Sequence, residues 1–292
     1  RAVRELDAAV ARVEGRGFSV TPCAPSAPLG ARLGLGEDGL IVKDDTGNVG
    51  GSHKARHLFG LALAFETAAR AGHPEAALRD RPLAIASCGN AALAAAVVAR
   101  AMKRELRVFV PPWADAAVIT RLDALGARIE RCPRRPDDPP GDPCHHRFRE
   151  AVRDGEWPFS VQGSHNALVI DGGMTLAFEF AELCHAHPVD RLFVQVGGGA
   201  LASAVAQGLA IMAASGAIGR ALALHAVQAE GGFPLVRAWR RVARRLTADA
   251  GIAEAPARDD ESGRDAARRD ARAATWIAAN TSAAAREAAL SL

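Results

Sequence analysis

Residues 83–90, which read LAIASCGN, join a short apolar run to a small-residue turn and to an alanine-rich helix. The length and apolar character of the run predict a buried strand over 83–86. Gly89 is predicted to start a helix that ends near Met102. The alternation then continues with a strand at 107–110, a helix at 115–125 and a strand at 127–131. Strands that alternate with helices at such short intervals predict a parallel sheet with right-handed crossovers.

A second α/β stretch follows a loop at residues 133–143 that holds five prolines. Its predicted elements are helices at 145–153, 173–185 and 201–215 and strands at 191–196 and 221–227. We therefore expect an α/β fold of two three-layer domains with mostly parallel sheets. The larger domain is expected to comprise residues 1–54 and 159–292, and the smaller one residues 55–158. The cleft between two such domains is a natural place for a ligand.

The first 70 residues are expected to hold less regular structure. A charged amphipathic pattern predicts a helix over 1–13, and the glycines and prolines of 15–40 predict a loop. A short strand is expected at 40–43, and a long helix is expected to run from His53 to about Arg70.

Composition excludes several classes of function. The 292 residues are 49% hydrophobic and 24% charged, as in ordinary globular proteins. A net charge of +3 with dispersed basic residues argues against a nucleic-acid partner. No apolar run is long enough to span a membrane, and no signal peptide is recognised. The five cysteines are odd in number and widely spaced, which predicts free thiols in a cytoplasmic protein.

Lys54 is the first candidate for chemistry, because it follows the small-residue turn of Gly51 and Ser52 at the start of the long helix. A nucleophilic lysine needs a neutral amine, and both burial and a helix N-terminus disfavour the ammonium. The alternative is an ordinary solvated lysine. The chain is poor in lysine and rich in arginine, which argues for a specific role.

A glycine-rich turn follows the predicted strand at 191–196. Gly197, Gly198 and Gly199 lead directly into a helix at Ala200 and Leu201. Successive backbone N–H groups at a helix N-terminus can hold a phosphate without any lysine or arginine. The turn lacks the G-x-G-x-x-G spacing of dinucleotide sites, although a simple turn or a nucleotide-binding module stays possible.

The turn at Ser87, Cys88, Gly89 and Asn90 also opens a helix, so its N–H groups suit a carboxylate. Cys88 is interpreted as a packed small residue rather than as a nucleophile. Cysteines and histidines at 132, 144, 145, 146, 184, 185 and 187 raise the alternative of a metal site, but their spacing is not that of zinc sites. We therefore expect no metal.

Lysine, Ser-x-Gly-Asn and a glycine-rich loop, in this order, resemble the pyridoxal-phosphate enzymes of fold type II. This group includes tryptophan synthase β-subunit, threonine synthase, serine and threonine dehydratases and cysteine synthase. The resemblance implies a Schiff base between Lys54 and the coenzyme. It also implies that Ser87, Cys88, Gly89 and Asn90 bind the substrate α-carboxylate. The implied coenzyme contacts are Asn90 at the ring hydroxyl, His53 over the phosphate, and Gly197, Gly198, Gly199, Ala200 and Leu201 around the phosphate.

His53 itself resembles tryptophan synthase β-subunit, whereas many relatives carry Phe before the lysine; a capping or core role is its alternative. A weaker resemblance lies at 166–179, where Asp171, Gly172 and Gly173 lead into a helix with Glu179; an ordinary turn with a helix cap is its alternative. Relatives place Ser, Thr or Cys against the pyridine nitrogen near the C-terminus, and here Thr281 and Ser282 qualify by residue type alone.

The resemblance implies β-elimination on a small amino acid, of the ammonia-lyase or dehydratase type. Two alternatives stay open: a β- or γ-replacement synthase such as threonine synthase or cysteine synthase, and a coenzyme-binding protein without turnover. A homodimer is the expected assembly by analogy with the family.

Overall fold

The computed structural model describes residues 1–73, 81–163, 165–187, 189–219 and 222–249, and the structural statements below concern those residues. The expectations for Thr281 and Ser282 lie outside them. The helices are α1 Ala2–Glu14, α2 Ala27–Arg32, α3 Lys54–Arg70, α4 Asn90–Ala101, α5 Ala116–Ala124, α6 Pro143–Arg153, α7 Val169–Phe178, α8 Phe180–Ala186, α9 Ala200–Ala214 and α10 Pro234–Asp249. The strands are β1 Cys23–Pro25, β2 Ile41–Lys43, β3 Leu83–Ala86, β4 Leu106–Val110, β5 Arg128–Arg131, β6 Trp157–Pro158, β7 Arg191–Gln195 and β8 Ala223–Val227.

The predicted parallel sheet is confirmed, with strand order β5-β4-β3-β6. Alternate residues of its strands face opposite layers, as the period of a strand requires. Leu83 and Ile85 belong to the core that α4 covers, whereas Ala84 packs in a second cluster with Phe148 of α6. The sheet therefore lies between helices on both faces, which gives the three layers expected from the sequence.

A second parallel pair, β7 with β8, is joined along five residue pairs from Arg191↔Ala223 to Gln195↔Val227. Val194 and Val196 pack against buried residues of α9, among them Leu201 and Val205. This is the second sheet predicted from the apolar runs around 191 and 221.

Helices α3, α7 and α9 pack unusually closely because glycines line their contacts. A Cβ atom on Gly60 of α3 would lie 2.6 Å from the Cα of Gly172 in α7. A Cβ atom on Gly208 of α9 would lie 2.6 Å from the Cβ of Ala177. Any larger side chain there would force the helices apart, so α7 joins α3 to α9.

Three sequence expectations need correction. The segment 15–40, expected to be a loop, contains α2 and also β1, which pairs with β2 in an antiparallel sheet. The helix expected at 173–185 begins earlier and is two helices, α7 and α8, that meet at Glu179. Strand β6 was not predicted, because two residues give no periodicity and Pro158 is acceptable only on an edge strand.

Candidate active site

Lys54 is the first residue of α3 and is half-buried. Its backbone N–H lies 3.4 Å from the Oγ of Ser52, a buried side chain. Burial lowers the pKa of Lys54. Lys54 thus combines a helix N-terminus with partial desolvation, the two conditions that favour a neutral amine.

His53 immediately precedes the helix and makes no side-chain cap hydrogen bond. Burial lowers its pKa to about 3, and the charge of Lys54 contributes in the same direction. The His53 imidazole is therefore neutral at physiological pH. The helix-capping alternative finds no hydrogen bond in the structure.

The turn before Lys54 depends on two glycines in the left-handed region, Gly50 and Gly51, each with φ of +66°. A Cβ atom on Gly50 would lie 3.3 Å from the Cα of Ala94 and 3.7 Å from the Cβ of Ala55. Ala94 belongs to the second turn of α4 and Ala55 to the first turn of α3. The backbone of Gly50 therefore brings the N-terminal ends of these two helices together.

A buried ion cluster holds the start of α3. Arg56 donates to Asp45 at 2.8 Å and to Glu179 at 2.5 Å, and Lys43 donates to the same Glu179 at 2.5 Å. Burial raises the pKa of each carboxyl, but the hydrogen bonds from Arg56 outweigh it and lower the pKa of Asp45 and Glu179 overall. Thr21 also donates to both carboxylates.

Sequence reasoning missed this cluster, because Glu179 was noted only as a helix residue. The one local feature that could have pointed to the cluster is Arg56 itself, two residues after Lys54. The cluster fixes the first turn of α3 against the junction of α7 and α8, so the position of Lys54 depends on it.

The glycine loop lies where the sequence places it. Gly199 precedes α9 with φ of 92°, and no side chain caps that helix. Gly197 and Gly198 are exposed, and a Cβ atom on either would meet no atom within 4 Å. The space in front of the first turn of α9, at Ala200 and Leu201, is therefore open and suits an anion.

The Ser87–Asn90 turn has the same character. Its Ser87 N–H donates to the Phe109 carbonyl at 3.2 Å, which ties the turn to β4. The Gly89 N–H lies 3.4 Å from the Oγ of Ser87, and no side chain caps α4. Cys88 and Asn90 are exposed, so the interpretation of Cys88 as a packed residue is wrong.

Contacts through α7 connect α3 with α9. A Cβ atom on Gly173 of α7 would lie 2.2 Å from the Cε1 of His57 and 2.7 Å from the Cβ of Ala204. His57 lies one turn after Lys54, and Ala204 one turn after Ala200. The N-terminal turns of α3 and α9 therefore both pack on Gly173. The N-terminal end of α4 packs beside the first turn of α3 at Gly50.

His57 is a second feature that sequence reasoning missed. Its side chain is fully buried, at 0% exposure, and its Nδ1 lies 2.7 Å from the carbonyl oxygen of Val169. A carbonyl only accepts, so Nδ1 carries the proton and Nε2 presents a lone pair. That buried Nε2 has no hydrogen-bond partner among the described residues.

His145, one of the histidines considered for a metal, contacts another histidine instead. The Nε2 of His145 lies 3.1 Å from the Nε2 of His165, and the rings are stacked. Cys132 and Cys144 are buried nearby in the cluster of Phe148, and all five cysteines are free thiols. The described residues contain no group of three or more histidine, cysteine or acidic side chains that could hold a metal ion.

The fold is that of the pyridoxal-phosphate enzymes of fold type II. The sequence pattern of the pyridoxal-phosphate-dependent enzymes matches residues 16–292, and the chain belongs to that family. Comparison with curated protein sequences gives no significant match.

Solved structures of similar fold include maize serine racemase, with 20% identity and a TM-score of 0.58 over 88% of this chain and 67% of that one. Threonine deaminase isoform 2 from Solanum lycopersicum has 18% identity and a TM-score of 0.60, over 89% of this chain and 64% of that one. A fungal L-serine ammonia-lyase from Rhizomucor miehei has 18% identity and a TM-score of 0.58, over 83% and 67%. The chain thus spans about two thirds of the length of these proteins, and the likeness concerns their fold.

The residues present fit the coenzyme of the family. The half-buried lysine offers an amine. The glycine loop before α9 offers open space for a phosphate, and a Cβ atom at position 197 or 198 would take up part of that space.

The described part of the chain has no helix that is both long and apolar enough to cross a membrane.

Proposed function

We propose that this chain is a pyridoxal-phosphate-dependent lyase that eliminates a β-substituent from a small amino acid. The observation that carries the proposal is the half-buried Lys54, whose pKa is lowered by burial, at the start of α3. This helix start packs beside the uncapped N-terminus of α4 and is joined through α7 to the uncapped N-terminus of α9. Family membership supports the coenzyme, and the ammonia-lyases among proteins of similar fold support the type of reaction.

In this proposal the loop before α9 and the first residues of that helix hold the coenzyme phosphate. These residues are Gly197, Gly198, Gly199, Ala200 and Leu201. The partial positive charge of the α9 N-terminus and its free N–H groups stabilise the dianion. His53, beside Lys54, would contact the phosphate as a neutral ring, and Asn90 would donate to the hydroxyl of the coenzyme ring. Open space above the two exposed glycines supports this assignment.

Ser87, Cys88, Gly89 and Asn90 bind the substrate α-carboxylate through the N-terminus of α4. The uncapped start of that helix and the open space beside Gly89 leave donors available for a carboxylate. Binding there would orient the Cα–H bond of the substrate toward the first turn of α3, which packs beside α4 through Gly50.

Lys54 would hold the coenzyme through its side-chain amine and would take the substrate α-proton as a neutral base. The coenzyme, when bound, would supply an electron sink for the electrons left at the substrate Cα. Burial lowers the pKa of Lys54 and so favours the neutral amine that a base requires. The buried cluster of Arg56, Asp45 and Glu179 keeps the lysine backbone in place during these steps.

The first test is a visible absorbance spectrum of the full chain with added pyridoxal phosphate. A band that borohydride reduces is expected in the unaltered protein and in Lys103→Arg, an exposed lysine that serves as the matched control. Lys54→Ala is expected to lack the band. An equal band in Lys54→Ala would refute the assignment.

Product analysis then separates the reactions. Elimination from serine or threonine releases ammonia and a keto acid, whereas a replacement synthase consumes a second nucleophile and retains the amino group. Racemases also share the fold, so the configuration of unreacted substrate should be measured in the same samples. Release of ammonia lost in Lys54→Ala supports the lyase; a changed configuration without ammonia contradicts it.

The homodimer, the cytoplasmic location and the domain boundaries at 54/55 and 158/159 stay predictions. Size-exclusion chromatography with light scattering tests the homodimer, and limited proteolysis tests the domain boundaries.

A further inference from the structure

His57 is a buried imidazole with one nitrogen that the fold leaves unsatisfied. Nδ1–H donates to the Val169 carbonyl at 2.7 Å, which fixes the tautomer, and the lone pair of Nε2 has no partner among the described residues. A buried acceptor without a hydrogen bond lowers the stability of the folded protein. We therefore expect a donor for this atom.

The geometry of α3 identifies the candidate donors. Lys54 and His57 are three residues apart and therefore lie on one face of the helix. Side chains in a helix lean toward its N-terminus, which brings the His57 ring over the turn that carries Lys54. The ring of His53 lies edge-on to that of His57, with 5.8 Å between centroids.

Arg56 is excluded as the donor, because its three nitrogens already donate to Asp45, Glu179, Thr175 and Thr21. From α7, His57 meets the Val169 carbonyl and Gly173, neither of which offers a side-chain donor, and Gly173 also packs on Ala204 of α9. On α3 itself, the charge of Lys54 acts on His57 and the ring of neutral His53 contacts it, and Lys54 has three protons to donate when it is charged.

We propose that His57 is a positioning residue for Lys54. The Lys54 side chain, which makes no hydrogen bond to His57 in the structure, turns so that its Nζ donates to the His57 Nε2, and this bond holds the amine in one orientation. The inference rests on the role given to Lys54 in the proposed function. A neutral acceptor stabilises an ammonium more than an amine, so the bond offsets part of the effect of burial on Lys54. Lys54 is then a stronger base for the α-proton than burial alone would leave it.

The charged and titratable groups that act on His57 are Lys54, Arg56 and Asp45, with His53 against its ring. Burial, the largest influence, lowers the pKa of His57 to about 4, so the acceptor stays neutral throughout the pH range of the experiment.

The experiment measures the titration of Lys54 in the full chain freed of coenzyme. The sequence has three lysines, Lys43, Lys54 and Lys103, so acetylation by acetic anhydride can be followed at each by peptide mass spectrometry. The rate at Lys54 rises with pH as the amine loses its proton. Exposed Lys103 is the internal reference in every sample.

His57→Leu keeps an apolar side chain in the space and removes the acceptor. We expect the midpoint of Lys54 to fall by about one pH unit, a tenfold change in its acid constant. His57→Gln, which can donate to Val169 and accept from Lys54, should restore the midpoint to near the unaltered value. A midpoint unchanged in His57→Leu would overturn the proposal and leave His57 as a core residue or as a partner of His53.

A second measurement does not require His57→Leu to fold. The nitrogen-15 chemical shift of His57 Nε2 should move toward that of an unbonded lone pair when Lys54 is replaced by Met. The same shift in both proteins would overturn the proposal. Neither measurement uses the coenzyme, so their failure is distinct from a failure to bind pyridoxal phosphate, which the Lys54-dependent absorbance band reports.

Discussion

Replacement of Glu179 by Gln tests whether the buried ion cluster supports the site. Glu179 is 12% exposed and accepts from Arg56 Nη1 and Lys43 Nζ, each at 2.5 Å, as well as from Thr21. The cluster holds two cations and two anions, so Glu179→Gln leaves it with a buried charge of +1. Removing one partner of a buried ion pair costs about 3–5 kcal/mol.

The lower end of that range applies here. Arg56 keeps Asp45 at 2.8 Å, and Lys43 keeps the Thr21 carbonyl at 2.6 Å, so neither cation loses every acceptor. We therefore expect the free energy of unfolding to fall by about 3 kcal/mol, measured by urea titration with circular dichroism. The matched control is Glu182→Gln, an exposed carboxylate on α8, which should change stability by less than about 0.5 kcal/mol.

The difference in stability between the unaltered protein and Glu179→Gln should also depend on pH. The pKa of Glu179 is lowered in the folded protein, so its contribution is complete above the unfolded pKa of about 4.3 and is lost as pH falls through the folded value. The gap between the unaltered protein and Glu179→Gln should therefore be constant from pH 6 to 7 and shrink below about pH 4. Equal stability of Glu179→Gln and Glu182→Gln at pH 7 would refute this account of the cluster.

Two further substitutions test local packing. Gly173→Ala would set a Cβ atom 2.2 Å from the His57 ring and should destabilise the protein by about 1–3 kcal/mol in urea, whereas Gly197→Ala, with open space around it, should be nearly neutral. Asp115→Ala removes the cap that accepts from the Ala117 N–H at 2.8 Å and should cost about 1 kcal/mol in the same assay; Asp115→Asn should retain most of it.

Much of the fold follows from local sequence, because strand and helix periods are properties of neighbouring residues. The apolar run 83–86 and the helix start at Asn90 were predicted within one residue of their observed bounds. Segment 15–40 was misread because its glycines and prolines hide a six-residue helix and a three-residue strand, both too short to show a period. The Gly-rich loop before α9 was also evident, since it joins an apolar strand directly to a helix.

The parts of the site that sequence could not reveal are those made by distant pairings. Glu179 meets Thr21 across 158 positions and Arg56 across 123, and no local pattern marks such partners. His57 is a second residue that the sequence could not identify, because a histidine at that position of an amphipathic helix is indistinguishable from an ordinary core residue. The position of its ring depends on Gly173, which is 116 positions away. The absence of a side chain at Gly173 makes room for the ring and allows Nδ1 to reach the Val169 carbonyl. Removing that space by Gly173→Ala should therefore disturb both the ring and, if the ring contacts Lys54, the titration of the lysine. A midpoint shift at Lys54 in Gly173→Ala with no comparable shift at Lys103 would connect the close packing of α7 to the chemistry of the first turn of α3.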